Sequence, residues 1–348
     1  MSKELVKTDE QYKSLVSDIG IILKEARNKI YSEVNSLMVD TYWNIGKYIV
    51  EYEQQGNERA EYGSNLLNRL SKDLTNLYGK GFGRSNLLYI RKLYLYFPIS
   101  GTLSHLLSWS HYYEILKLNN ELERSFYIKE CEKQHWSVRE LKRQMNSMLF
   151  HRIALSKDTE GVIKLAEQGN DIQKAEDIIK DPFVLEFTGL PDISHYNEKD
   201  LENSLVNNLR KFLLELGNGF AFIGQQYRFS IAGRHYFIDL VFYHVVLKAY
   251  VLIDLKRNEV QHEDVGQMNF YLNYFRNEVC TEGDNEPIGI ILGATADKMT
   301  MEYAMGGVSN QLFVSRYQLY LPNREVLEKE FWRIMRKHEL AELEEDEI

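Results

Sequence analysis

The chain has 348 residues, of which 44% are hydrophobic and 27% charged, and a formal net charge of −9. That length suits two domains at roughly 100–200 residues each, and the composition excludes a disordered or fibrous chain. No apolar run approaches the ~18 residues of a membrane span, the polar start MSKELVKTDEQYKSLV predicts no secretion signal, and Cys131 and Cys280 have no metal-like spacing.

A reduced, cytoplasmic protein with no membrane partner is therefore expected. The acidic total says little about other partners. Six of the last ten residues, Glu339–Ile348, are acids, whereas Arg124–Arg152 holds seven Lys/Arg against three Glu. Charges act over about 8 Å at physiological salt, so a local basic stripe matters more for phosphate binding than the sum does.

From about Gln11 to Arg152, apolar residues recur at three- and four-residue steps, as in Leu15, Ile19, Ile22 and Leu23, which predicts helices. Leu66, Leu67, Leu70, Leu74 and Leu77 continue the pattern to Gly79 and Gly81, residues suited to a helix end. In GFGRSNLLYIRKLYLYFP, Ser85 is the expected N-cap and Pro98 the stop. Helices are expected over His111–Leu118, Glu121–Glu132 and, behind Ser137, Val138–Phe150. The helix carrying Arg84, Asn86, Arg91 and Lys92 after a glycine turn has the layout of a helix-turn-helix reader, though plain helical hairpins share it. Arg84, Arg91 and Lys92 are thus candidate nucleic-acid contacts. Residues 1–155 are assigned to an all-helical domain, a candidate for DNA binding, and 156–180 to a connector. Residues 181–348 form a second domain with an acidic tail.

After Glu198 the pattern becomes α then β. Leu201, Leu205, Leu209, Phe212 and Leu213 mark one helix ending near Gly217. Strands follow at Phe220–Ile231, Tyr236–Tyr243 and Ala249–Leu255, then a helix from His262 to Asn277 and a strand at Pro287–Leu292. A helix over Lys298–Tyr303, a strand over Leu312–Leu321 and a last helix from Arg324 complete a mixed sheet flanked by helices, an α/β domain.

The chemistry lies in YFIDLVFYHVVLKAYVLIDLKRN. Two apolar strands flank a turn around His244–Lys248, and each holds an acid where another Val or Ile is expected. Alternation puts Asp254 and Lys256 on one face, and a turn near Val246 places Asp239 nearly level with Asp254. Two semi-buried carboxylates repel unless a cation neutralises them, and Mg²⁺ or Mn²⁺ does so with oxygen ligands while acidifying water for phosphodiester attack. Lys256 would meet the charge that develops on the phosphate. Asp239 and Asp254 are therefore candidate metal ligands and catalytic residues with Lys256, against a purely structural ion pair. Arg257 is a candidate phosphate contact. His262, Arg228, Arg234 and His235 fit ordinary solvated or strand positions.

Asp239 followed by Asp254-Leu255-Lys256 resembles the PD-(D/E)-x-K nuclease superfamily. IDLVFYH, IDLK and GQMNFYLNYF, with the preceding DPFVLEFTGLP and DLENSLVNNLRKFLLELGNGFAFIGQQYRF, resemble its YhcG-like bacterial branch, most strongly from Asp181 to Tyr274. The resemblance implies a helical N-terminal domain followed by a restriction-endonuclease-like mixed-sheet α/β domain, and a metal-dependent DNA endonuclease. It implies Glu202 as the third acid and metal ligand, and Gln267 as a polar residue against the catalytic face. Ile238 stands where the superfamily pattern has proline, and Asp254 where this branch usually has Glu. Double-strand cleavage by one-site nucleases calls for a symmetric pair, so a homodimer is a candidate state. The competing reading is a non-catalytic nucleic-acid-binding or assembly protein with a decayed site, against which the intact acid–acid–lysine set argues.

Overall fold

The computed structural model describes residues 2–55, 60–155, 157, 159–190, 196–295 and 311–345. It divides into two compact units, Met1–Lys142 and Arg143–Ile348. Among the described residues no helix is long and apolar enough to cross a membrane.

The first unit is helical: α1 (Ser2–Gln55), α2 (Ala60–Tyr78), α3 (Arg84–Tyr96), α4 (Trp109–Ile115), α5 (Glu121–Gln134) and the start of α6 (Val138–Asn146). Ile49 of α1, Leu67 of α2 and Leu87 and Ile90 of α3 form its core with Tyr42, Ile45 and Trp109 around them. Gly46 lets α1 and α3 touch, because a Cβ there would lie 2.3 Å from the Ile90 carbonyl oxygen. Ser85 is not the N-cap of α3. Gly83, extended at ψ 150°, ends the turn earlier and caps the helix without a side-chain bond, so Ser85 lies inside the first turn. Ser137 does cap α6, accepting from the Glu140 N–H at 3.2 Å.

The basic stripe is only partly a surface: Lys133, Arg139 and Lys142 are exposed, but three of its arginines are not. Arg124 is buried, donates to the carbonyls of Leu118 and Asn119, and stacks 3.9 Å from the centroid of the Tyr96 ring. At the other end, in the second unit, Arg152 is fully buried in an ion pair with fully buried Glu215 at 2.5 Å. Arg143 lies 3.7 Å from Glu215 and from Glu186. Side-chain burial and internal acids, which a count of charges does not register, remove these three arginines from the stripe.

In the second unit Met148, at φ +53°, breaks the expected helix into α6 and α7 (Leu149–Ala154). The stretch read as a connector contains α8 (Thr159–Gln168) and a 3₁₀ turn at Ala175–Ile178, whose Ala175 and Ile178 join the sheet's core. Asp177 closes this turn by accepting from the Gln173 and Lys174 N–H groups, both at 3.0 Å. Instead of one helix ending at Gly217 there are two, α9 (Glu198–Asn207) and α10 (Leu209–Leu216), separated at Asn208.

Among the described residues the sheet has six strands: β1 (Phe183–Val184), β2 (Phe220–Ile231), β3 (Arg234–His244), β4 (Ala249–Glu259), β5 (Ile288–Thr295) and β6 (Leu312–Gln318). Their order is β1-β6-β5-β4-β3-β2. β3 runs antiparallel to both of its neighbours, β2 and β4, and β4, β5, β6 and β1 are parallel, so the sheet is mixed as expected. Leu201, Leu205, Phe212 and Leu216 of α9 and α10 cover one face. Val265, Met268, Tyr271 and Leu272 of α11 (His262–Tyr274) cover the other. Gly289 permits that packing, since a Cβ would sit 2.7 Å from Met268 Cγ. The last helix, α12, spans Arg324–Glu345. The helix expected over Lys298–Tyr303 lies outside the described residues.

Candidate active site

β3 and β4 are paired from the turn to Leu240 and Ile253, so Asp239 and Asp254 are the next residues along the hairpin, side by side. On β4, Leu252 joins the core under α11, while Val251, Ile253 and Leu255 join the core under α9 and α10. Alternation therefore assigns Asp254 and Lys256 to the α11 face.

On β3 the alternation breaks at Asp239. Tyr236 and Ile238 pack on the α11 side, yet Leu240 and Phe242 pack on the opposite side. Gln226 of β2, level with Asp239 between the pairs Gln225↔Leu240 and Tyr227↔Ile238, has φ +47°. A left-handed residue is costly for a non-glycine and rotates its strand, and the swap of faces occurs there. The Gln226 side chain is held in return. Its Nε2 donates to Glu202 Oε2 of α9 at 2.8 Å and to Asp239 Oδ1 at 3.0 Å. One carboxamide thus binds both acids.

The other Asp239 oxygen, Oδ2, accepts from the Leu255 N–H at 2.8 Å, so both of its oxygens are fixed. Lys256 Nζ lies 2.8 Å from Asp254 Oδ2 and 3.3 Å from Asp264 Oδ1. Asp264, in the first turn of α11, is itself positioned by the Gln261 N–H, which donates to its Oδ2 at 2.8 Å.

Burial raises the proton affinity of all three acids, because the low-dielectric surroundings disfavour the charged form. For Asp254, 4% exposed, burial and then the Asp239 charge push the pKa up to about 7 against the pull of Lys256. Asp239 is raised by burial, with the Leu255 N–H opposing and Glu202 adding. Glu202, also 4% exposed, is raised by burial with the Gln226 bond opposing. For Lys256 burial works the other way, but Asp254 and then Asp264 overcome it and hold the ammonium above lysine's usual range.

The donor set fits a hard divalent cation. Glu202 Oε1 is buried with no hydrogen-bond donor, and Asp254 Oδ2 has the Lys256 charge nearby but no donor aligned on it. Open carboxylate oxygens in an interior are costly unless a cation meets them. Among the described residues no three His, Cys, Asp or Glu side chains form a ready metal cage. Gln226 and Lys256 engage the acids instead.

The structure brings Asp239, Asp254, Lys256 and Glu202 into one network. It does not bring Gln267 directly to the acids. Gln267 is exposed on α11 and donates to the hydroxyl of buried Tyr271 one turn on. Tyr271 is the link, since its pKa is raised by burial and, after the opposing Gln267 bond, by the Asp254 charge. Arg257 has its N–H on Glu198 Oε1 at 3.1 Å, and its charge is felt by Tyr196 and Tyr317. In the first unit Arg84 is exposed. Arg91 instead forms a 2.7 Å ion pair with Glu53, and Lys92 donates to the Leu116 carbonyl at 3.5 Å and lies over the Tyr89 ring. Sequence reasoning missed Gln226, whose setting depends on its backbone, and Asp264, which the spacing from Gln261 marks as a capping residue.

Residues 176–331 match the family described as the YhcG PDDEXK nuclease domain, and residues 18–152 match the DUF1016 N-terminal domain. The chain is 36% identical over 358 residues to the "Putative nuclease YhcG" of Escherichia coli (strain K12), covering 94% of this chain and 95% of that protein. Two solved structures share part of the chain. A repair endonuclease from Pyrococcus abyssi is 19% identical, covers 37% of this chain and 49% of its own, and has a TM-score of 0.26. EndoMS in apo form is 17% identical, with 37% and 48% covered and a TM-score of 0.24. The expected architecture stands: a helical N-terminal region precedes a restriction-endonuclease-like mixed-sheet α/β domain.

Proposed function

This chain belongs to the YhcG family of PDDEXK nucleases, and from that premise we propose that it is a cytoplasmic, Mg²⁺- or Mn²⁺-dependent DNA endonuclease. Asp239, Asp254 and Glu202 would hold the metal, and Lys256 is the catalytic cation that meets the phosphate. The observation that carries this reading is the network itself: two strand carboxylates beside each other, a third acid with a buried open oxygen, and a lysine 2.8 Å from one of them. The open Glu202 Oε1 beside the two strand acids favours a metal over a purely structural ion pair, and the presence of every charged member argues against a decayed site.

When bound, a divalent ion supplies charge neutralisation and acidifies water. The protein's own side chains do the rest. The Leu255 N–H and Gln226 fix the direction of the Asp239 carboxylate. Asp264 holds Lys256 at the edge of the site, where its side chain is 19% exposed and can offer a positive charge to a phosphate oxygen as negative charge builds there. Tyr271, braced by Gln267, closes the α11 side. Arg84 and Arg257 contact phosphate, and Arg91 and Lys92 do so once released from Glu53 and the Leu116 carbonyl. A pair of subunits would let one-site chemistry cut both strands.

The test is cleavage of linear, nicked, branched and single-stranded DNA, with RNA alongside, in Mg²⁺ and in chelator. Cleavage of DNA that stops in chelator is expected. Cutting of RNA alone, or metal-independent cutting, would overturn the proposal.

A further inference from the structure

Among the described residues, the first half of α1 buries no side chain. Every described residue from Tyr12 to Val34 is exposed, and α1 reaches the core only from Val39, Tyr42, Ile45 and Ile49 onward. This solvent-facing stretch is nevertheless strongly apolar: Ile19 is 48% exposed, Leu23 53%, Ile30 60% and Leu37 68%. At about 3.6 residues per turn these side chains fall along one line of the helix, and that line is not the one that packs on α3.

The seam is symmetric about the Ala26–Arg27 peptide. Moving outward, Leu23 and Ile30, Ile19 and Val34, Val16 and Leu37, and Tyr12 and Thr41 stand at equal distances on either side. A two-fold interface must be complementary to itself, and this pattern sets apolar against apolar in the inner three layers when a second copy lies antiparallel. Sliding the copies by seven residues one way sets Val16 against Asn44, and the other way carries Leu37 past Tyr12. A parallel pair would place Arg27 beside Arg27, whereas the antiparallel pair places it level with Ala26. Opposed helix dipoles favour the same choice. The seam is about 44 Å long at about 1.5 Å per residue, and its exposed apolar side chains offer on the order of the ~800 Å² per partner of a standard interface.

We propose that α1 pairs antiparallel with α1 of a second copy of this chain, from Tyr12 to Thr41, with the two-fold axis at Ala26–Arg27. The pairing does not depend on the nuclease chemistry. It places the rest of each first unit at opposite ends of the paired helices.

Sedimentation of the full chain tests this. Wild type is expected to be a dimer at about 10 µM, and Leu23→Glu with Ile30→Glu, which puts four carboxylates into the central layers, should raise the dimer dissociation constant at least ~100-fold. Ile21→Glu lies on the opposite side of α1 and should leave the dimer intact, and far-UV circular dichroism should show all variants folded. Oxidation should link copies carrying both Leu23→Cys and Ile30→Cys, above the background of Cys131 and Cys280. Leu23→Cys alone should not link, because the two positions would be about 10 Å apart along the axis. A monomeric wild type, a dimer that survives Leu23→Glu with Ile30→Glu, or linking through Leu23→Cys alone would overturn the proposal.

Discussion

Replacing Asp254 by Asn should stabilise the metal-free protein, by an amount that grows with pH. Asp254 ordinarily titrates near 3.8, and burial with the Asp239 charge moves it to about 7 in the folded state. A folded-state pKa raised above the unfolded one contributes stability below pH 4, and that contribution is lost as pH climbs to 7. At about 1.4 kcal/mol per tenfold change in proton affinity, the carboxylate costs the folded state up to about 4 kcal/mol at pH 8. Asn carries no charge and escapes this cost. Lys256 loses its closer partner in the variant but keeps Asp264 at 3.3 Å, so the net gain should be roughly 1–3 kcal/mol. Urea unfolding of both proteins in chelator from pH 4 to pH 8 measures it. The variant should match wild type near pH 4, pull ahead between pH 4 and pH 7, and hold a constant lead above that. Millimolar Mg²⁺ should erase the lead by stabilising wild type alone. An Asn variant less stable than wild type at pH 8 in chelator, or a gap independent of pH, would refute the reasoning.

Three further outcomes follow from the same geometry. Metal ligation needs Asp254 ionised, so calorimetry in buffers of different ionisation enthalpy should show close to one proton released per Mg²⁺ at pH 6 and almost none at pH 8; equal release at both would contradict the position of its pKa. Gln226→Ala removes the bond between Glu202 and Asp239 and should lower kcat about 10–100-fold with a weaker metal titration, whereas unchanged kinetics would make the bridge incidental. Arg84→Glu should lower the salt dependence of DNA affinity by about 0.9 log units per log unit of salt, and an unaltered slope would remove Arg84 from the interface.

The strands and their acids were legible because the signal is local. An acid inside FIDLVF or VLIDLK breaks an apolar pattern, and two-residue alternation assigns Asp254 and Lys256 to one face without knowledge of the fold. Gln226 was not legible. It sits in the polar text GQQYRF, and its importance arises from a left-handed backbone and from α9 bringing Glu202 over β2. The helix breaks at Asn208 and Met148 carry no Gly or Pro to announce them. β1 is two residues long and is defined only by its partner β6. The basic stripe is smaller than its charge count because burial is not a local signal: Arg124 is covered by the Tyr96 ring, and Arg152 is enclosed with Glu215. In α1 the three- and four-residue steps predicted a helix correctly, but periodicity does not say what covers an apolar line, and the structure leaves this one exposed.

The central claim is that the acids gathered around Asp239 and Asp254 perform metal-dependent phosphodiester hydrolysis. Single-turnover cleavage of a supercoiled plasmid by wild type and by Asp239→Asn, purified in parallel and assayed in Mg²⁺, tests it most directly. The account predicts cutting by wild type that vanishes in chelator, and a rate at least ~1,000-fold lower for the variant, since the change removes one charged ligand. Plasmid cleavage by Asp239→Asn at the wild-type rate would contradict it.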